Sequence, residues 1–228
     1  MPILDLSHPL EEDMTLFPGT PAVDFSYLST VEADGWRMRY LRFSSHVGTH
    51  LDTPAHRLPD GDTLDDFGPE HFIGSAVVVD VRSAAEASEA GSAAAANPPI
   101  HRELLERHAE ALADAAFVLL YTGWSEKWKT PDYLRGYPVL TNDAARYLTS
   151  LPKFRGVGMD VISPDPADSE ECPLHSIFLG ARKIIIENLR GLHRLPTAGD
   201  GTPVELICLP FSIPQGDGSP TRAVARVG

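Results

Sequence analysis

The chain is short of cysteine, short of positive charge and without a long apolar run, and each shortage excludes something. Its 228 residues hold two cysteines, Cys172 and Cys208, and no Cys-x-x-Cys pair. Neither a disulfide framework nor a cysteine-built structural zinc site is therefore expected, and a reducing cytoplasm is the compartment this implies. Lys and Arg number 19 against 32 Asp and Glu, a formal charge of −13. Such a surface repels polyanions, which argues against nucleic acid and anionic membranes as partners. No stretch approaches the ~18 uninterrupted apolar residues of a membrane-spanning helix. Met1-Pro2-Ile3-Leu4-Asp5 has neither the basic region nor the apolar run of a signal peptide. The Gly-x-Ser-x-Gly elbow of many serine hydrolases is also missing.

What is present is a soluble, globular composition, 43% hydrophobic and 22% charged, in a length that suits one domain over 1–228. Ala76–Val81, Ala116–Thr122, Ile184–Ile186 and Val204–Pro210 are apolar, β-branched runs and read as buried strands. Residues 2–7, Val23–Tyr27, Trp36–Ser44, Gly156–Val161 and Arg222–Val227 are further expected strands. Helices are expected over Ile100–Ala113 and Thr141–Leu151, the latter capped by Thr141 or Asn142. Strands alternating with helices give an α/β class with a mixed sheet or barrel-like core flanked by helices. Residues 83–98 are rich in Ala, Ser and Glu with little to bury, and read as a surface insertion.

The stretch that carries chemistry is Ser44-Ser45-His46-Val47-Gly48-Thr49-His50-Leu51-Asp52-Thr53-Pro54-Ala55-His56. Three of the nine histidines fall here beside a carboxylate. His46, His50, Asp52 and His56 share one parity, so an extended chain points them to one side. A straight strand would hold His46 and His50 about 13 Å apart. That is too far for ligands of one ion with bonds of about 2 Å. The chain must bend between them, and Gly48 permits the bend. His50 and Asp52, two apart, suit a shared ion. A run of surface histidines would explain one of these residues less strainedly than four. Farther on, Glu187 directly follows the Ile184–Ile186 run, where an unpaired carboxylate is costly. Taken alone, Glu187 reads as a strand-end surface residue, and His175 as a surface or satisfied core residue.

His46-x-Gly48-Thr49-His50-x-Asp52-x-Pro54-x-His56 resembles the signature of the cyclase-like metal-dependent hydrolases, which include bacterial kynurenine formamidases and isatin hydrolases. The resemblance extends from Leu4 to Arg222. It takes in Asp160-x-x-Ser163 with Asp165, His175 followed by Glu187, and the closing Asp217-Gly218-Ser219-Pro220-Thr221-Arg222-Ala223. It implies the family's swivelling β/β/α fold and a ligand set of His46, His50, Asp52, His175 and Glu187. It also implies that Asp52 bridges two ions, with His46 and His50 on one and His175 and Glu187 on the other; a single-ion version stays open. Zn²⁺ is the implied cofactor, one or two ions per chain, with Mn²⁺ as the alternative, since mixed imidazole and carboxylate donors suit both. The implied reaction is hydrolysis of an amide C–N bond in a small molecule, by hydroxide generated on the metal, with His56 as general base and then acid. An aryl formamide such as N-formylkynurenine, a substrate of tryptophan catabolism, is the first choice. A cyclic amide such as isatin, or a polyketide-type cyclisation, is the alternative. Phe17 occupies the place of a family aromatic, usually Trp, that packs on the substrate ring, and Trp124 matches an aromatic near the pocket. A homodimer or higher homo-oligomer is expected on the same ground.

Overall fold

The computed structural model describes residues 1–84 and 97–228, so the expected Ala-rich insertion lies largely outside the described residues. Along the chain the strands are β1 (Ile3–Asp5), β2 (Tyr27–Ser29), β3 (Met38–Arg39), β4 (His50–Asp52), β5 (Ile73–Asp80), β6 (Pro99–Ile100) and β7 (Phe117–Tyr121). They continue as β8 (Val139–Leu140), β9 (Gly156–Met159), β10 (Ile184–Glu187), β11 (Val204–Ile207), β12 (Gly218–Pro220) and β13 (Val224–Val227). Nine of them form one sheet in the order β1-β13-β11-β5-β7-β9-β10-β4-β12. The segment β5-β7-β9-β10 is parallel and the remaining pairings are antiparallel, so the sheet is mixed. β12 and β13 are joined through Thr221–Ala223 alone, yet β12 ends the sheet and β13 sits near its other edge. The sheet therefore curls back on itself into a half-barrel. Single bridges from Ser7 to Leu189 and from Pro210 to Thr221 tie the approaching edges.

Strand alternation sorts the side chains into two cores. Ala76, Val78, Phe117, Leu119, Ile184, Ile186 and Leu51 fill the inside of the curl. Val79, Val118, Leu120, Val157 and Ile185 face outward and pack on Leu148, Leu174 and Phe178 from two helices, Asn142–Ser150 and Pro173–Gly180. Fully burying each Ile, Leu or Phe is worth about 1.5–3 kcal/mol, and both faces contribute. Close packing also fixes where glycine is needed. A Cβ on Gly156 would lie 2.7 Å from the Ile184 carbonyl oxygen across the β9–β10 pair.

Two expected elements come out differently. The Ile100–Ala113 helix is two short ones, Arg102–Glu106 and Ala109–Leu112. Ile100 is claimed by the β6–β8 pair, and nothing in the residue types at His108 accounts for the second break. The long strands expected over Val23–Tyr27 and Trp36–Ser44 shrink to the β2–β3 pair and one bridge between Asp24 and Arg42. They form an arm in which Val23 and Phe25 pack with Met14 and Val47 while Tyr27, Leu28, Trp36, Met38, Tyr40 and Leu41 stay exposed. Among the described residues no helix is long and apolar enough to cross a membrane.

One buried titratable group sets an acid limit on the fold. His8 is 8% exposed, stacks on Trp128 with centroids 4.1 Å apart, and its Nε2 has no hydrogen-bond partner among the described residues. Burial, with help from Arg190, pushes its pKa down to about 4 from an ordinary 6.5. The unfolded chain thus binds a proton between pH 6.5 and 4 that the folded chain does not, so stability is full above pH 6.5 and falls toward pH 4. The difference amounts to at most about 3 kcal/mol. His8→Phe keeps the ring and cannot protonate. Urea midpoints at pH 7 and pH 4.5 should fall less for the variant than for the parent.

Candidate metal centre

The geometry starts with register. β10 and β4 pair antiparallel with Glu187 opposite His50 and Ile185 opposite Asp52. Leu51 and Ile186 turn inward, so His50, Asp52 and Glu187 all emerge on the outer face, the one covered by the helix Pro173–Gly180. On the other side of β4, Gly218 lies opposite Asp52. A Cβ there would come within 2.5 Å of His46 Cε1, so glycine leaves the room the imidazole fills. The bend expected at Gly48 is present: its φ is +59°, and a Cβ would sit 2.6 Å from Leu10 Cδ2. The bend brings the rings of His46 and His50 to 5.2 Å between centroids.

Asp52 is the hub. Its Oδ1 lies 2.7 Å from His46 Nδ1 and 3.4 Å from His50 Nε2; its Oδ2 lies 3.9 Å from His175 Nε2. Glu187 reaches His50 Nε2 at 3.3 Å and His175 Nε2 at 3.6 Å. Donor atoms of His50, Asp52 and Glu187 converge within ligating range of one another, and so do those of His46, Asp52 and His56. The structure thus gathers all five expected ligand residues and His56 around one carboxylate. It groups His50 with Glu187, and His46 with His56, rather than His46 with His50.

The tautomers of two imidazoles are set from behind. His50 Nδ1–H donates to the Gly48 carbonyl at 2.9 Å, which leaves Nε2 as a lone pair facing the carboxylates. His175 Nδ1–H donates to Asp165 Oδ2 at 2.7 Å, with the same result. Asp165 also accepts the backbone N–H groups of Leu174 and His175 at 2.9 and 3.0 Å. One buried carboxylate thereby caps the helix that Pro173 begins and aims its histidine. Asn188, at φ +57°, donates to the Gly48 carbonyl and accepts from the Tyr133 hydroxyl, pinning the exit of β10 to the bend. On the loop after β9, Asp160 braces the neighbouring turn in a similar way, accepting from Thr122 N, Thr122 Oγ1 and Gly123 N.

The electrostatics fit a cation. Asp52 Oδ2 is buried with no hydrogen-bond partner among the described residues. Burial and then the Asp52 charge push the Glu187 carboxyl well above its usual range. Burial opposes charge on His46, yet Asp52 and Asp217 raise its pKa to about 10, so the two carboxylates around this ring favour positive charge at this spot. Burial likewise opposes charge on Asp52, but His46 and His50 hold it well below the carboxylate range. Two buried carboxylates, an orphaned oxygen and imidazoles with aimed lone pairs are a donor set for Zn²⁺ or Mn²⁺.

These groups line one wall of a cavity of about 430 Å³. Leu16, Phe17, Ile162 and Pro166 provide apolar walls, and Arg57 brings a guanidinium. Trp124 does not reach the cavity. It is buried in the outer core with its Nε1–H on the Tyr133 carbonyl, so its expected role in binding substrate has no geometric basis. Asp217, named from the sequence only as the first residue of the closing Asp217–Ala223 segment and given no role in the site, lies against His46 and His56.

Residues 4–166 match the model of the Cyclase family, described as "Putative cyclase". The chain is 32% identical to a kynurenine formamidase of Bacillus cereus over 227 residues, 98% of this chain and 96% of that one. It is 31% identical to a kynurenine formamidase of Salinibacter ruber over 229 residues, 99% and 98% of the two chains. Isatin hydrolase A from Labrenzia aggregata superposes with a TM-score of 0.83 at 26% identity, covering 98% of this chain and 93% of that one.

Proposed function

The chain belongs to the Cyclase family, and from that premise we propose that it is a metal-dependent amidohydrolase acting on an aryl formamide such as N-formylkynurenine. The observation that carries this reading is the convergence on Asp52, a buried hub whose Oδ2 is unpartnered, at the wall of a substrate-sized cavity. His46, His50, Asp52, His175 and Glu187 would hold one or two ions, Zn²⁺ or else Mn²⁺. A divalent ion in such a site lowers the pKa of water toward about 7 and stabilises negative charge on a carbonyl oxygen.

The chain's own residues supply the rest. Gly48 and Asp165 hold His50 and His175 in the Nδ1–H tautomers, whose Nε2 lone pairs face the carboxylates. Burial lowers the His56 pKa, with His46 and His175 adding to that and Asp52 and Asp217 opposing it, which favours the neutral imidazole, the form that accepts a proton. It would take the proton of the attacking water and return it to the leaving nitrogen. Phe17 lines the cavity and offers a face to an aromatic ring, and Arg57 offers a charge to a substrate carboxylate. A formylated aromatic amino acid carries both features, whereas a cyclic amide such as isatin carries the ring alone.

The deciding experiment is formate release from N-formylkynurenine by protein loaded with Zn²⁺ or Mn²⁺, beside a chelated control. Chelator-sensitive turnover supports the reading. Absence of turnover on this substrate with metal bound, but opening of isatin, would move the substrate to a cyclic amide. Failure to bind either metal would end the metallohydrolase reading.

The same proposal includes a homo-oligomer, in the simplest case a homodimer. Its support is the arm around β2 and β3, where Tyr27, Leu28, Trp36, Met38, Tyr40 and Leu41 are 46–64% exposed. A two-stranded ribbon with such a surface is marginal by itself. Its Arg37, Arg39 and Arg42 suit the acidic surface of a second −13 chain. Sedimentation should show a dimer for the parent and a monomer for Leu28→Glu/Trp36→Glu; a parent that is monomeric at micromolar concentration rules the oligomer out. The two cysteines are free thiols, in keeping with a cytoplasmic protein.

A further inference from the structure

Asp217 is outside the ligand set, yet its carboxylate touches three residues of the motif. Oδ2 accepts from His46 Nε2 at 2.8 Å and faces His56 Nδ1 at 3.5 Å; Oδ1 accepts from Ser45 Oγ at 3.0 Å. The backbone is pinned as firmly, because its carbonyl accepts both Thr53 N and Thr53 Oγ1 at 3.0 Å. Those two bonds involve no side-chain atom of Asp217, so they would survive its truncation. The carboxylate is thus placed by the chain at the one spot between two imidazoles whose centroids are 3.9 Å apart.

We propose that Asp217 is a positioning residue that holds the ligand His46 and the base His56 together through one carboxylate. This deepens the hydrolase reading and rests on it. His46 has both ring nitrogens against carboxylates, and a bound ion would take Nδ1 in place of its contact with Asp52. His46 turns Nδ1 to Asp52 at 2.7 Å, the side of the metal donors, and gives its Nε2–H to Asp217. A ligating histidine that donates its other N–H to a carboxylate is fixed in ring plane and tautomer. His56 turns Nδ1–H toward the same oxygen, which leaves the Nε2 lone pair for proton transfer. The 3.5 Å contact is loose, as such bonds often are before substrate closes the site. Asp217 is separated from His46 by about 170 residues of sequence, and the half-barrel closure through β12 is what delivers it.

Four proteins test this: the parent, Asp217→Ala, His56→Ala and the double variant, with Asp217→Asn in reserve should the alanine variant not fold. Metal affinity is read by competition with a chromophoric chelator, which needs no substrate. It should weaken about 10–100-fold in Asp217→Ala with the number of ions unchanged, and stay at the parental value in His56→Ala. At saturating metal, kcat for the formamide should fall at least about tenfold in Asp217→Ala, with KM within about twofold. In the His56→Ala background the same change should leave kcat alone, because the base it positions is gone, while still weakening the metal. Unchanged affinity in Asp217→Ala overturns the proposal. So does a kcat loss of equal size in both backgrounds, or loss of a whole ion, which would make Asp217 a ligand. If no protein turns over the formamide while affinity weakens as expected, the fault lies with the substrate reading, and the isatin assay replaces it.

Discussion

Glu187→Gln should remove metal binding and lower kcat/KM by about three to four orders of magnitude, equivalent to about 4–5.5 kcal/mol of transition-state stabilisation, while leaving the apo fold at least as stable as the parent. The two halves have one cause. Glu187 is 6% exposed at the end of β10, opposite His50 in the sheet, with its oxygens 3.3 and 3.6 Å from His50 and His175. Burial and the neighbouring Asp52 make its charge unfavourable, so its pKa stands well above the usual value in the folded chain. A raised carboxyl pKa means the folded state binds a proton that the unfolded state has lost. That costs stability as pH rises through the shifted range. Gln has the same shape and no charge, so the cost disappears. It also offers one neutral oxygen in place of an anionic pair, and a divalent ion loses a donor it needs. Thermal melts of both proteins with and without chelator, together with metal content after dialysis, check this. The parent should gain stability on metal addition and the variant should not. A variant that is destabilised without metal and still binds it would show that Glu187 is a structural residue.

Much of the site was legible because its residues are neighbours in sequence. His46, His50, Asp52 and His56 fall within one stretch, and the two bends it needs are met by residues that stand there, Gly48 between the first two histidines and Pro54 before His56. The central strands of the sheet were legible as well, since β5, β7 and β10 read as continuous apolar runs, though their parallel pairing was not. What was not legible depends on closure. Asp217 reaches His46 and His56 only because β12 is set beside β4, and in the sequence it stands about 160 residues or more from both. The helix Pro173–Gly180 owes its start to a carboxylate at Asp165, and no local pattern announces that it carries His175 to the back of β10. Trp124 reads as a pocket aromatic by its place after Thr122-Gly123, but Asp160 pulls that turn inward and buries the indole against Tyr133. The arm from Val23 to Phe43 alternates well enough to read as strand, and burial alone betrays that it has no sheet to join.

His56→Ala should keep the parental metal content and lower kcat by about 10²–10⁴-fold, and this result separates an enzyme from a metal-binding protein with the same ligands. The structure puts the two possible roles of His56 in competition. Its donor atoms come within ligating range of those of His46 and Asp52, so geometry allows it to be a ligand. Its surroundings favour the base. The side chain is 34% exposed, against 4% for His50 and 11% for His175. It follows the bend of Thr53-Pro54 onto the cavity wall and faces Asp217 rather than a second buried carboxylate. A ligand is best held dry and rigid, whereas a base must meet both water and substrate. The partial burial of His56 lowers its pKa, which favours the neutral form that accepts a proton. Metal content by plasma emission, set beside steady-state kinetics at saturating metal, decides the matter. Loss of metal together with activity would move His56 into the ligand set and leave proton transfer to another group. Full metal and unchanged kinetics would remove catalysis from His56 altogether. Full metal with a kcat defect that pH cannot restore is the outcome expected of a proton-transfer residue poised between the donors around Asp52 and the cavity.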